Sequence, residues 1–384
     1  MSGVLILSVL LTVLAGASCY VSGRLYQGLS CFFPGLRFWQ FLLPVCALTG
    51  LLVLSFVRGL MPLSKNGKHV LGVISGYGMG ICLYLLLFTA AADLLTLLSK
   101  LMKLPFTAHP LFRGFVTVGV LLLTLVTCIG GFVNGRRIDH VSYEIRLQGK
   151  QDISDLNVVL ISDLHLGAIG SEGRLQTVVD EINALEPDLV CIAGDFFDTD
   201  FAAIQDPNAA VETLQKLRTT YGVYVCLGNH DGGQTLGQMK AFLEQANIRL
   251  LDDAYTVIDD RLVLVGRLDS HAIGGYGAQS RKELSTFFAR EDSSLPVIVL
   301  DHNPANIGEY TTEADLILCG HTHRGQVFPG SLLTNRMFTV DYGYYREDAQ
   351  HPHVIVTSGV GSWGMPMRVG TNCEIVTIRF RADD

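Results

Sequence analysis

Four stretches without a charged side chain, roughly residues 4–21, 38–57, 70–92 and 114–133, constrain this 384-residue chain more than any other feature. Each comes close to the ~20 apolar residues with which an α-helix crosses ~30 Å of hydrocarbon. Four transmembrane helices are therefore expected, in a membrane domain over residues 1–134. Charge separates the two parts of the chain: residues 1–134 carry eight Lys and Arg and a lone acid, Asp93, a balance of +7, whereas the rest holds 20 basic and 35 acidic groups, a balance of −15. A polyanion would be repelled by so acidic a soluble part, so no nucleic-acid partner is expected. The bilayer is the expected partner of the other part.

The first stretch could also be read as a signal peptide, because Ala15-Gly16-Ala17 loosely resembles a cleavage site, but the basic segment that should precede it is missing. Four spans place both termini on one side. Arg24, Arg37, Lys100, Lys103 and Arg113 then face one compartment and Arg58, Lys65, Lys68, Arg136, Arg137, Arg146 and Lys150 the other. That count favours a multi-pass protein with a cytoplasmic catalytic part, by a margin small enough to leave an extracytoplasmic one open. Cys191, Cys226 and Cys319 each end an apolar run, as buried reduced thiols do. Asp93 falls late in a run longer than a span needs, where the helix is already leaving the hydrocarbon.

Past Arg136-Arg137 the pattern changes to short β-branched runs at 158–162, 189–193, 223–227, 262–265, 297–300, 316–319, 354–357 and 374–380. Helical periodicity separates several of them, as in Leu175, Val178, Val179, Ile182 and Leu185. Alternating strands and helices predict an α/β sandwich with buried sheets, with a linker and first strand over 135–155 and a catalytic domain over 156–384. Five runs lead directly into polar clusters: Asp163-Leu164-His165, Gly194-Asp195, Gly228-Asn229-His230-Asp231, Asp301-His302 and Gly320-His321-Thr322-His323. The carboxyl ends of strands are where an open α/β sheet gathers its ligands.

Carboxylate, imidazole and amide oxygen without thiolate suit Mn²⁺, Fe²⁺ or Zn²⁺. Seven candidate ligands exceed what one tetrahedral ion takes, so two divalent ions are expected. Asp-x-His puts both side chains on one face of a strand end, and a carboxylate from the next strand can bridge ions ~3.5–4 Å apart.

This set resembles the signature of the calcineurin-like metallophosphoesterase superfamily, in order and over residues 156–380. The segment from Gly320 to Pro329, with Asp341-Tyr342-Gly343 and the later loop from Ser358 to Arg368, is similar to its membrane-attached YkuE-like and transmembrane metallophosphoesterase branch. That branch includes a group that cleaves UDP-2,3-diacylglucosamine. The resemblance implies a four-layer α/β/β/α sandwich and a hydrolase that cleaves phosphoesters with metal-activated hydroxide. It assigns Asp163, His165, Asp195 and His323 to one ion and Asp195, Asn229, His302 and His321 to the other, with Asp195 bridging and His230 beside the leaving group. Asp198 and Asp231 are expected to position backbone and histidines. Arg324 departs from the Gly common at its position and adds a candidate phosphate contact.

The loop carrying Trp363, Met365, Pro366, Met367 and Arg368 is both apolar and basic, which suits an amphiphile with a phosphate head. Together with the anchor it points to a lipid-linked or bilayer-adjacent substrate, such as a UDP-diacylglucosamine-like pyrophosphate; monoester, diester and pyrophosphate all remain open. A nucleotide or nucleic-acid phosphodiesterase, and a membrane sensor with a regulatory phosphoesterase domain, are the alternatives. Arg267 and Arg281 are a further candidate phosphate pair, and His140, His271, His351 and His353 read as ordinary surface or loop residues.

Overall fold

Apolar side chains repeated without interruption make helices of membrane-crossing length at the N-terminus of the computed structural model, which describes residues 2–56, 61, 63–147, 149–167, 169, 171–288 and 294–382. The chain forms two units, Met1–Phe132 and Val133–Asp384. Among the described residues the first contains the α-helices α1 (Ser2–Leu29), α2 (Trp39–Phe56), α3 (Lys65–Leu101) and most of α4 (Phe112–Asn134). Three of them are long and apolar enough to cross a membrane; α2 is shorter, at 18 residues. The expected end of the second span at Val57, and the basic Arg58 beyond it, lie outside the described residues. Ser64 caps α3, its Oγ accepting from Gly67 N at 3.2 Å. Gly28 lets α1 approach α4: a Cβ there would stand 1.9 Å from Thr117 Oγ1, the close approach that small residues permit between membrane helices.

In the second unit, strands buried on both faces read as continuous apolar runs. One sheet contains β1 (Ile138–Arg146), β2 (Asn157–Ile161), β3 (Leu189–Ala193), β4 (Val223–Cys226) and β5 (Ile248–Leu250), and the other β6 (Ala254–Ile258), β7 (Leu262–Gly266), β8 (Val297–Leu300), β9 (Leu316–Cys319), β10 (Gly343–Tyr345) and β11 (His353–Val356). β12 (Cys373–Arg381) returns to the first sheet, between β1 and β2. The orders are β1-β12-β2-β3-β4-β5 and β10-β11-β9-β8-β7-β6. β2 through β5 run parallel, as do β7, β8, β9 and β11; β12 on β2, β6 on β7 and β10 on β11 are antiparallel.

Strand alternation sorts the core. Val158, Leu160, Leu189 and Cys191 point inward to meet Leu264, Ile298, Leu300, Leu316 and Leu318, joining the two sheets face to face. Val159, Ile161, Val190 and Ile192 point outward beneath α5 (Glu172–Ala184), α6 (Pro207–Leu214) and α7 (Leu236–Gln245). Each fully buried aliphatic side chain contributes roughly 1.5–3 kcal/mol. Over the second sheet the layer is thin: α8 (Ser285–Phe288) and a 3₁₀ turn at Pro304–Glu309 bring Phe287 and Ile307 onto Val263, Val299 and Ile317. α9 (Gly330–Met337) follows the His321–His323 loop.

Candidate metal centre

β2, β3, β4, β8 and β9 end side by side, and the polar residues that follow them converge. Asp163, His165 and His323 form one group of potential ligands, and Asp195, His302 and His321 another. In the first, His165 Nε2 is 3.1 Å from His323 Nε2, and His323 Nε2 is 3.5 Å from Asp163 Oδ1. In the second, His302 Nε2 lies 3.2 Å from Asp195 Oδ2, while Asn229 Oδ1 is 3.2 Å from His302 Nε2 and 2.8 Å from His321 Nδ1. Asp195 joins the two groups, because its Oδ2 is also 3.7 Å from His165 Nε2. All seven expected ligands are thus brought to one place.

Local geometry forces the side chains inward. Asp163, His165, Asp195, His321 and His323 all have positive φ, between 47° and 72°, where a non-glycine residue is strained by about 1 kcal/mol or more. Gly228 is required beside them: a Cβ at that position would meet Asp195 Oδ1 at 2.3 Å. The Asp231 carboxylate accepts from the backbone N–H groups of Gly228 (2.8 Å), Phe197 (2.8 Å) and Phe196 (3.1 Å), tying the turn after β4 to the turn after β3. His321 N–H donates to Asp163, whose carboxylate also receives the Ser162 hydroxyl.

The electrostatics call for cations. Burial holds the His165 imidazole down at about 3 and His321 at about 4, and burial, then Arg368, hold His323 well below its ordinary value. Those rings are neutral at neutral pH and present lone pairs. Burial would raise the Asp195 carboxyl, but His302 outweighs it and keeps the group ionised; conversely burial opposes a charge on His302 while Asp195 draws one there. Asp163 is pushed up to about 6, chiefly by burial. His302 decides the fit. Its Nδ1 donates to Ala193 O at 2.7 Å, so its Nε2 faces two oxygens, Asp195 Oδ2 and Asn229 Oδ1. A proton on Nε2 or a cation bound beside it satisfies those oxygens, and a hydrogen-bonded imidazole opposite a carboxylate is how protein metal ligands are oriented.

Comparisons with known proteins bear on the same part of the chain. The family model for calcineurin-like phosphoesterases matches residues 156–325, a span that contains all seven candidate ligands. A Danio rerio protein named "Transmembrane protein with metallophosphoesterase domain" is 30% identical over 354 residues, which cover 85% of this chain and 78% of that protein. The chain belongs to the calcineurin-like phosphoesterase family. It is a metallophosphoesterase, a phosphoric ester hydrolase of a metal-dependent family, and three of its described helices are long and apolar enough to cross a membrane. It is similar also to an uncharacterized metallophosphoesterase of Campylobacter jejuni, 27% identical over 381 residues covering 97% of each chain. The uncharacterized metallophosphoesterase YkuE of Bacillus subtilis is 27% identical over 236 residues, covering 59% of this chain and 79% of YkuE.

Around the centre of this metallophosphoesterase some sequence expectations are revised. Arg368, expected at the substrate, is fully buried; it donates to His323 O and Ser358 O at 2.8 Å each and to Gly361 O, and so fixes the loop carrying His323. Arg324 lies over the Tyr342 ring at 4.2 Å, a cation–π contact. Arg267 is buried against Asp253 at 3.0 Å, and Arg281 pairs with Asp301 and Glu309, so neither presents a free guanidinium to a second phosphate. His353 is buried, its Nδ1 2.9 Å from Tyr344 Oη. His230 is partly exposed, with its backbone N–H on Asp195 Oδ1 at 2.8 Å and its Nδ1 2.6 Å from Thr199 Oγ1. Trp363 is 46% exposed and its ring lies 5.7 Å from that of His230. Thr199, and Phe338 at 6.0 Å from the His321 ring, carry no signal in sequence because neither stands at a strand end.

Proposed function

We propose that residues 156–384 are a dinuclear metal-dependent phosphoesterase domain, held to the bilayer by a multi-pass membrane domain of four spans over residues 1–134 and joined to it through residues 135–155. In this reading α2 is the fourth span, its 18 residues falling within the ~17–25 that can cross, and the count of Lys and Arg favours the cytoplasm for the catalytic domain. The thin covering of the second sheet is the outermost of four layers. One observation carries the chemistry: Asp195 Oδ2 stands between the two ligand groups, 3.7 Å from His165 Nε2 and 3.2 Å from His302 Nε2.

Asp163, His165, Asp195 and His323 would hold one ion, and Asp195, Asn229, His302 and His321 the other. Bound there, two divalent ions supply positive charge to the phosphoryl oxygens and lower the pKa of water between them. Asp195 keeps both sites at a fixed separation. His230, held at Nδ1 by Thr199, offers Nε2 to the leaving oxygen, as a proton donor or as a stabiliser of the charge that grows there.

The substrate proposed is a lipid-linked or membrane-adjacent phosphoester, of which a UDP-diacylglucosamine-like pyrophosphate is one form. Exposed apolar side chains support it: beyond Trp363, Phe328 (51%), Leu332 (66%), Leu333 (63%) and Met337 (66%) are solvent-exposed in and just before α9, after the His321–His323 loop. Such a patch on a domain tethered to a bilayer suits acyl chains. The test is hydrolysis by the purified full chain with Mn²⁺ of an aryl phosphodiester and an aryl phosphomonoester, followed by mass spectrometry of a lipid extract incubated with the enzyme. Turnover abolished by chelator and restored by Mn²⁺ is the expected result; undiminished turnover after metal removal would overturn the reading.

A further inference from the structure

We infer that the membrane unit holds a binding site for the phosphate headgroup of an anionic amphiphile, in a cavity of about 440 Å³ lined by α1, α3 and α4. The inference rests on this unit lying in a bilayer and is independent of the metal centre. Three cations, Arg24, Lys100 and Arg113, line the cavity, with Asp93 as its one carboxylate. Asp93 is already engaged: it accepts from Arg24 Nε at 2.8 Å and from the Tyr20 hydroxyl at 2.6 Å. That pair is neutral as a whole, so Lys100 and Arg113 leave the cavity a surplus of two positive charges. Neither has a carboxylate partner among the described residues.

Snorkelling Lys and Arg at membrane edges are ordinary. These differ in that they come from the ends of separate helices and converge on one cavity, whose lining also includes Gln27, Thr89 and Thr117. Gly28 against Thr117 brings the helix ends together. α3 has 37 residues, about 55 Å at 1.5 Å per residue, roughly 25 Å more than the ~30 Å of hydrocarbon; centred in a bilayer it would extend about 12 Å beyond the hydrocarbon at each end, which puts Asp93, eight residues before the helix end, near that boundary. The outer wall is apolar: Leu94 and Leu97 line the cavity and are 58% and 55% exposed. A polar, cationic floor with a lipid-facing apolar wall matches a phosphate headgroup with acyl chains attached. Free phosphate shares the headgroup's charge but has no use for that wall. The volume lies within the ~300–1,000 Å³ of small-molecule sites.

The test uses the full chain in neutral detergent, with bound lipid read by native mass spectrometry after titration with dioleoyl phosphatidylglycerol, dioleoyl phosphatidylcholine or inorganic phosphate. Phosphatidylglycerol should bind at least about tenfold more tightly than phosphatidylcholine, and the Lys100→Gln/Arg113→Gln variant should lose roughly tenfold of that affinity or more. Hydrolysis of the soluble aryl reporter should be unchanged in the variant, which separates failure of this site from failure of the catalytic reading. Equal binding of the two lipids by the unaltered chain would overturn the inference without recourse to any variant, as would undiminished phosphatidylglycerol binding by a folded variant. Inorganic phosphate bound as tightly as the lipid would show an anion site and overturn the amphiphile.

Discussion

At the scale of single residues, five of the seven converging ligands stand on left-handed backbone, a cost that the hydrogen bonds beneath them offset. In the proposed centre the carboxylates matter most, since only they would carry the negative charge to hold two cations together. Asp195→Asn keeps the shape and removes that charge; hydrolysis of the aryl reporter should fall by at least ~10³-fold with the fold retained by circular dichroism, because a weakened bridge loses the activated water. His353 gives a pH test away from the centre. Burial, then Arg346, hold its imidazole at about 4, against an ordinary value near 6.5, so the unfolded chain binds its proton first as pH falls. Its contribution to stability is complete above about pH 6.5 and is lost as pH drops toward 4. Thermal midpoints measured across that window should fall less steeply for His353→Gln than for the unaltered chain. The candidate ligands that converge were legible because each closely follows an apolar run. Arg368 was misread because an arginine in a Gly-punctuated loop resembles an exposed one, and only packing reveals that backbone carbonyls surround it.

At the scale of elements, the parallel central strands announce themselves because burial on both faces leaves no polar residue to blur the run. β5, β6 and β10 did not, because each mixes exposed with buried positions instead of burying both faces; edge strand β6 leaves Tyr255 and Val257 exposed on an alternating pattern. α9 was missed for a related reason: none of its residues is buried, so no apolar stripe faces a core. Its exposed Leu332, Leu333 and Met337 make it testable. Leu332→Asp/Met337→Asp should slow hydrolysis of a phospholipid presented in vesicles while leaving turnover of the soluble reporter within about twofold; equal effects on both would remove α9 from lipid handling. Asp231 links two of the turns. Asp231→Ala leaves three buried N–H groups without an acceptor, at roughly 1–3 kcal/mol each, and should lower both the thermal midpoint and the Mn²⁺ content of the purified chain.

At the scale of the whole molecule, charge divides the chain into a basic apolar part and an acidic part, and the structure has two compact units, Met1–Phe132 and Val133–Asp384. The number of spans was less legible, because α2 falls at the edge of crossing length and hydropathy alone does not separate a short span from a buried helix. Protease treatment of sealed inside-out vesicles should degrade the catalytic part if it faces the cytoplasm, and protection there would place it on the other side. The account as a whole depends on two cations sharing Asp195. Crystals of the Mn²⁺-loaded protein, examined by anomalous scattering at the manganese edge, test this most directly: two peaks ~3.5–4 Å apart on either side of Asp195 Oδ2 are predicted, and a single peak, or peaks away from that carboxylate, would contradict it.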